Sequence, residues 1–188
     1  MKKVALILTP GFADWEYSLI AGTSVYYGVE VRFYSPMPGI FQSQGGLSVM
    51  VDGSLQQCLV WQPDVVVIIG GTIWETQNSP DLRQFLHACH HENAAIAGIC
   101  GGTLALARAG LLNETAHTSN NPNFLLENAE GYIGNSHYRD STVAVVSDGI
   151  ITSPGSAPVS FTSAVFQMAG VPISNINQLK AMLAAEHL

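Results

Sequence analysis

The chain has 188 residues, 47% hydrophobic and 11% charged. That is enough to bury a sizeable core as one domain over 1–188, and too apolar for a disordered segment. Seven Lys and Arg stand scattered against 14 Asp and Glu, a formal net charge of -7, so a nucleic-acid or anionic-membrane partner is excluded for want of a basic footprint.

In chain order, 4–8 (VALIL) reads as a buried strand. The basic start before it mimics a secretion signal, but a turn and a helix signal follow directly, so it reads as the first strand of the fold. A helix is predicted from Asp14 to Tyr27, starting near Ala13 or Asp14 with acids in its first turn. Residues 29–35 alternate like a strand. The turn-rich stretch 37–55 predicts a small hairpin or edge strands. Residues 64–71 form a continuous apolar strand ending in Gly70-Gly71, too short to cross a bilayer. Ser79-Pro80 opens a helix to about Glu92. Residues 94–99 are the next strand, and 102–110 the next helix, closed by Gly110. Residues 142–153 read as two β runs around Asp148-Gly149, a hairpin signal. Pro158 to Ala169 is a helix, and 176–188 a last one.

Strands alternating with helices argue for an α/β fold with a mainly parallel sheet covered on both faces. Ligands bind such sheets at the carboxyl ends of the strands, and two of these ends carry Gly pairs, Gly70-Gly71 and Gly101-Gly102. Three cysteines, Cys58, Cys89 and Cys100, make an odd number without framework spacing, as in a reducing cytoplasm.

The stretch AAIAGICGGTLALARAG, residues 94–110, places Cys100 between a strand and a helix with Gly98, Gly101 and Gly102 around it. This is the pattern of a nucleophile elbow, a tight strained turn that projects its apex side chain into the cleft. The following helix aims free N–H groups at the sulfur, so Cys100 is expected to ionise below the ordinary thiol range. The Gly101 N–H supplies half of an oxyanion hole, and Gly71 is the candidate for the other half. A cysteine in an apolar strand can equally be an inert small hydrophobe; the glycines around it favour the elbow.

Four segments, VALILTPGFADWE, DVVVIIGG, AAIAGICGGTLALARAGLL and DGIITSPGSAPVSF, resemble in order the ThiJ/PfpI superfamily and the wider class I glutamine-amidotransferase-like set. The resemblance implies a three-layer α/β/α sandwich with a flavodoxin-like sheet. It places the family's nucleophile on Cys100, the glutamate that hydrogen-bonds it on Glu16, and the oxyanion glycine on Gly71 beside Gly101. A carboxyl next to a thiolate must hold a proton, so Glu16 should have a raised pKa.

The departures are as informative. PfpI-type proteases carry His directly after the cysteine, where this chain has Gly101. The later His of many relatives falls on Asn120, with His117 three residues earlier. His117 is therefore a candidate base or a structural histidine, and Asn120 a candidate for orienting substrate. Trp15 and Trp74 lie next to the expected site, and Trp74 is a candidate pocket wall. His87 and His91 share a helix face, but no third ligand follows at metal spacing, so no metal is expected. No GxGxxG or phosphate loop follows the first strand, and no cofactor is expected.

The resemblance implies a cysteine-dependent enzyme acting on a small-molecule electrophile, hydrolase or glyoxalase/deglycase-like, with Glu16 shuttling the proton. A non-enzymatic redox sensor or stress protein with an oxidisable Cys100 is the alternative. An intracellular protease or glutamine amidotransferase lacks its histidine here. Relatives are commonly dimers, so a cytoplasmic homodimer is expected.

Overall fold

Seven strands form the central sheet of the computed structural model, which describes residues 1–185. In chain order they are β1 (Lys2–Ile7), β2 (Val29–Ser35), β5 (Gly53–Ser54), β6 (Val65–Ile68), β7 (Ala95–Ile99), β8 (Val145–Ser147) and β9 (Ile150–Ser153). They lie in the order β5-β2-β1-β6-β7-β9-β8. All neighbours are parallel except β8 against β9. Helices α1 (Asp14–Thr23), α2 (Leu55–Trp61), α3 (Arg83–His91), α4 (Gly102–Arg108) and α5 (Pro122–Asn128) run between them, and α6 (Pro158–Met168) and α7 (Ile173–Ala184) follow the last strand. The β2-β1-β6-β7-β9 core has the doubly wound, flavodoxin-like order, so this is the expected three-layer α/β sandwich.

Strand alternation builds the two cores. Val4, Leu6, Val65, Val67 and Ala97 face α1, α6 and α7, while Ala5, Ile7, Val66, Ile68 and Ile96 face α2–α5. Both faces are covered, which is why the inner strands β6 and β7 read as continuous apolar runs rather than alternating ones.

Several boundaries move. The expected Asp14–Tyr27 helix ends at Thr23 and tightens into a 3-10 turn over Ser24–Tyr27, closed by Gly28 at φ 69°. The helix expected from Ser79 starts at Arg83, where the Asp81 carboxylate accepts the Arg83 N–H at 2.8 Å. The turn-rich stretch holds the antiparallel pair β3 (Ile40–Gln42) and β4 (Ser48–Met50). Asp148 and Gly149 both take positive φ, 50° and 77°, and close the β8–β9 hairpin; two left-handed residues make the turn type that suits twisted strands. Helices α2 and α5 stand where the sequence predicts none. The last helix begins at Ile173, and the end of the expected 176–188 segment, from 186, lies outside the described residues.

Candidate active site

The parallel sheet reverses its winding between β1 and β6, which leaves a crevice at their carboxyl ends. The segments after β1, β6, β7 and β9 converge there.

Cys100 occupies the junction of β7 and α4 with φ 53°. A residue with a Cβ is strained in that region and stays there only when its surroundings hold it. Its N–H donates to the Ser153 carbonyl at 2.9 Å. Its carbonyl accepts the Thr103 hydroxyl at 2.6 Å. Gly102 is obligatory, since a Cβ there would lie 2.3 Å from the Ile68 carbonyl oxygen, and Gly98 is closely packed, a Cβ there standing 3.1 Å from the Gly102 carbonyl oxygen.

Glu16, the third residue of α1, is fully buried. Its Oε2 accepts the Gly70 N–H at 2.7 Å, and its Oε1 has no hydrogen-bond partner among the described residues. A Cβ placed on Gly155 would stand 3.0 Å from the Cys100 sulfur and 3.2 Å from that Oε1, so both atoms face one small space. Burial pushes the Glu16 carboxyl up to about 7, against the Gly70 N–H and the neighbouring Cys100 thiol, which favour its charge. Burial, with the Glu16 carboxylate opposite, pushes the Cys100 thiol up to about 11, offset in part by the Asn120 amide and the Gly101 N–H. The expected acidic thiol is therefore not what the elbow produces. Helix α4 has seven residues, and desolvation plus a like charge outweigh its few free N–H groups. The carboxyl and thiol titrate as one unit in which two adjacent anions are disfavoured.

Gly71 and Gly101 pack backbone to backbone. A Cβ on Gly101 would meet the Gly71 carbonyl oxygen at 2.8 Å and the Gly71 nitrogen at 3.4 Å, and one on Gly71 would meet the Gly11 carbonyl oxygen at 2.7 Å. Only glycines let these two backbone segments pack so closely. Trp74, expected as a pocket wall, is instead fully buried. Its indole N–H donates to the Ile69 carbonyl at 2.9 Å, and its ring lies against Gly101. It shapes the elbow from beneath and offers no face to a substrate. The tryptophan at the surface is Trp15, 49% exposed, whose indole N–H donates to the Gly155 carbonyl at 3.0 Å.

His117 is not brought to the sulfur. It is fully buried. Its Nδ1 lies 2.6 Å from the Thr115 carbonyl and its Nε2 2.6 Å from the Tyr132 hydroxyl. The carbonyl can only accept, so Nδ1 carries the proton and Nε2 accepts from Tyr132. Burial lowers its pKa. The residue that reaches the sulfur is Asn120, whose Nδ2 donates to Cys100 Sγ at 3.3 Å. Ser153, Gly155 and Trp15 complete the surroundings. In the sequence the PG pair at 154–155 reads only as a turn, and Trp15 merely as a neighbour of the site.

Among the described residues no group of three or more His, Cys, Asp and Glu is placed to hold a metal ion. His87 spends its Nε2 on the Ala109 carbonyl at 2.8 Å. A cleft of about 640 Å³, lined by Glu75, Pro80, Arg83, Arg108 and Glu127 among others, does not include Cys100.

The family model described as DJ-1/PfpI matches residues 2–168. An uncharacterized protease of Bacillus subtilis, YoaZ, is 31% identical over 90% of this chain and 84% of its own. A DJ-1 superfamily protein of Agrobacterium tumefaciens superposes with TM-score 0.92 at 35% identity, over 100% of both chains. A thiJ/pfpI family protein of Bacillus anthracis follows with TM-score 0.84 at 25% identity, over 98% of this chain and 90% of that one.

Proposed function

The chain belongs to the DJ-1/PfpI family, and we propose that within it this protein is a cysteine-dependent enzyme for a small electrophilic substrate, with Cys100 as nucleophile and Glu16 as proton carrier. The observation that carries this reading is the buried Glu16 carboxyl, held near neutrality at about 7, with its free Oε1 and the Cys100 sulfur opening on the same small space. A base is most effective with a pKa near the working pH.

The step is an addition. A sulfur lone pair forms an S–C bond to a carbonyl carbon as the C=O π pair moves to oxygen. Glu16 takes the thiol proton as the sulfur attacks and returns it to the alkoxide, leaving a hemithioacetal from an aldehyde or a tetrahedral adduct from an acyl compound. The Gly71 and Gly101 N–H groups stabilise the oxyanion on the way. At Gly155 a Cβ would already stand 3.0 Å from the sulfur, and this narrow space supports a small carbonyl compound over a folded peptide segment. His117, locked between Thr115 and Tyr132, supports no Cys–His pair. The reading includes a homodimer, for which the exposed Val25 and Tyr26 offer an apolar surface, and a cytoplasmic site of action consistent with three free cysteines.

A second reading rests on the unpartnered Glu16 Oε1. With two equivalents of hydrogen peroxide as oxidant, each releasing one water, Cys100 would pass through the sulfenic acid to a sulfinate that gives up its own proton and accepts a hydrogen bond from the protonated Glu16. Turnover of methylglyoxal or a chromogenic amide by the wild type, lost in Cys100→Ser, is the expected result. Selective peroxide oxidation of Cys100, seen by peptide mass spectrometry, in a protein that turns over neither compound would favour the sensor.

A further inference from the structure

Asn120 makes two hydrogen bonds at once across the mouth of the site. Its Nδ2 donates to Cys100 Sγ at 3.3 Å, and its Oδ1 accepts the Gly155 N–H at 3.1 Å. The second bond fixes the first: a backbone N–H can only donate, so the oxygen must face Gly155 and the NH2 must face the sulfur. The loop behind it is anchored as well. Ser119, 2% exposed, shares a hydrogen bond with the Thr103 hydroxyl at 2.7 Å, and Thr103 binds the Cys100 carbonyl at 2.6 Å. The Tyr138 hydroxyl donates to the Ser119 carbonyl at 3.4 Å. Asn120 is thus tied to the elbow through its preceding residue and to the roof of the site through its own oxygen, and the Trp15 indole N–H holds the other side of that roof on the Gly155 carbonyl.

From this geometry we infer that Asn120 is a catalytic residue: a fixed, non-titrating donor that stabilises negative charge on the Cys100 sulfur as the thiol proton leaves. The inference rests on Cys100 being the reacting group, and deepens that reading. A hydrogen bond to a charged acceptor is roughly twice as strong as a neutral one, so the bond strengthens as charge develops on sulfur, the requirement for accelerating a step rather than merely binding. The group that titrates opposite the sulfur is Glu16, from α1. The turn after β6 offers Gly70 and Gly71, α4 Gly101 and Thr103, and the turn after β9 Ser153, Pro154 and Gly155, none of which titrates near neutrality. The direction in which Asn120 acts on the thiol pKa, downward, agrees. An amide in this position keeps its donor at every pH, whereas an imidazole would become charged as the pH fell.

The test is alkylation of Cys100 by iodoacetamide, site-resolved by mass spectrometry, between about pH 6 and 9, where the rate follows the thiolate fraction. Asn120→Ala removes both bonds. Asn120→Asp keeps the acceptor for Gly155 N–H and replaces the donor by a charge. Both are expected to react about tenfold more slowly than wild type, Asp at least as slowly as Ala, since one charge-assisted hydrogen bond at an exposed site is worth about one pKa unit. If Asn120 only held the roof, Asn120→Ala would open the site and react faster, and Asn120→Asp would match the wild type. Either of those results overturns the inference. Because alkylation needs no substrate, a protein with no turnover but with the expected rates would refute the enzymatic reading alone, and the reverse pattern would refute this inference alone.

Discussion

At the scale of single residues, the proposed chemistry turns on a proton that Glu16 and Cys100 share. The carboxyl is raised to about 7 and the thiol to about 11, so near neutrality the carboxylate is ready to receive the thiol proton. Glu16→Gln separates two effects that act in opposite directions. Removing the like charge eases ionisation of the thiol, and alkylation of Cys100 should speed up. Removing the base should cut kcat/KM by about a hundredfold or more on any substrate that needs Cys100. A Glu16→Gln enzyme with wild-type kcat/KM would show that solvent takes the proton. His117→Gln, by contrast, should leave kcat/KM of the folded enzyme within a few-fold of wild type, because neither imidazole nitrogen is free to reach the sulfur.

At the scale of elements, the elbow is legible in the sequence because tight packing leaves only glycine as an option. Gly102 meets the backbone of β6, and no side-chain rearrangement can relieve a Cβ 2.3 Å from the Ile68 carbonyl oxygen. Gly102→Ala should therefore destabilise the protein by about 1–3 kcal/mol through overpacking. Gly22, exposed on α1, serves as the control, since a methyl group there would meet nothing within 4 Å. Gly22→Ala should stabilise by about 0.5–1 kcal/mol. Denaturant unfolding of both variants checks the pair, and equal effects would mean the Gly102 contact relaxes freely. Where the signals are weaker, elements escape. Helix α2 has a capping box of Ser54 and Gln57, but its seven residues follow a run of turn residues that masks it. Helix α5 starts with an Asn121 cap and Pro122 in its first turn, and its short apolar pair, Phe124 and Leu125, looks like loop. The roles of His117 and Asn120 cannot be separated in sequence at all. Three positions apart on one irregular segment, they are sorted only by long-range partners: Tyr132 for His117, and the elbow and the β9 turn for Asn120. The bond from Trp15 to Gly155 spans most of the chain, and no local pattern announces it.

At the scale of the whole molecule, the buried site sets how stability changes with pH. Glu16 titrates at 4.5 in an unfolded chain and at about 7 in the folded one. Between those values the folded state binds more protons, so this group's contribution is fully present below about pH 4.5 and is lost as the pH rises through 7. The loss approaches about 3 kcal/mol. His117 acts in the opposite sense. Burial lowers its pKa below 6.5, so its neutral form contributes stability above that value, and the contribution falls away as the pH drops through the folded pKa. The two buried groups thus oppose each other across the mildly acidic range. The proposed proton transfer needs Glu16 to be desolvated, and the fold carries the resulting cost to stability at neutral pH. Glu16→Gln removes one arm of this balance and keeps an oxygen to accept the Gly70 N–H. It should stabilise the protein by up to about 3 kcal/mol at about pH 8 and make little difference at about pH 4.5. What remains is the His117 arm, so the variant's stability should rise with pH through the acidic range. Urea unfolding of the two proteins across that range measures both trends; a constant difference between them at every pH would mean that the Glu16 proton is not coupled to folding.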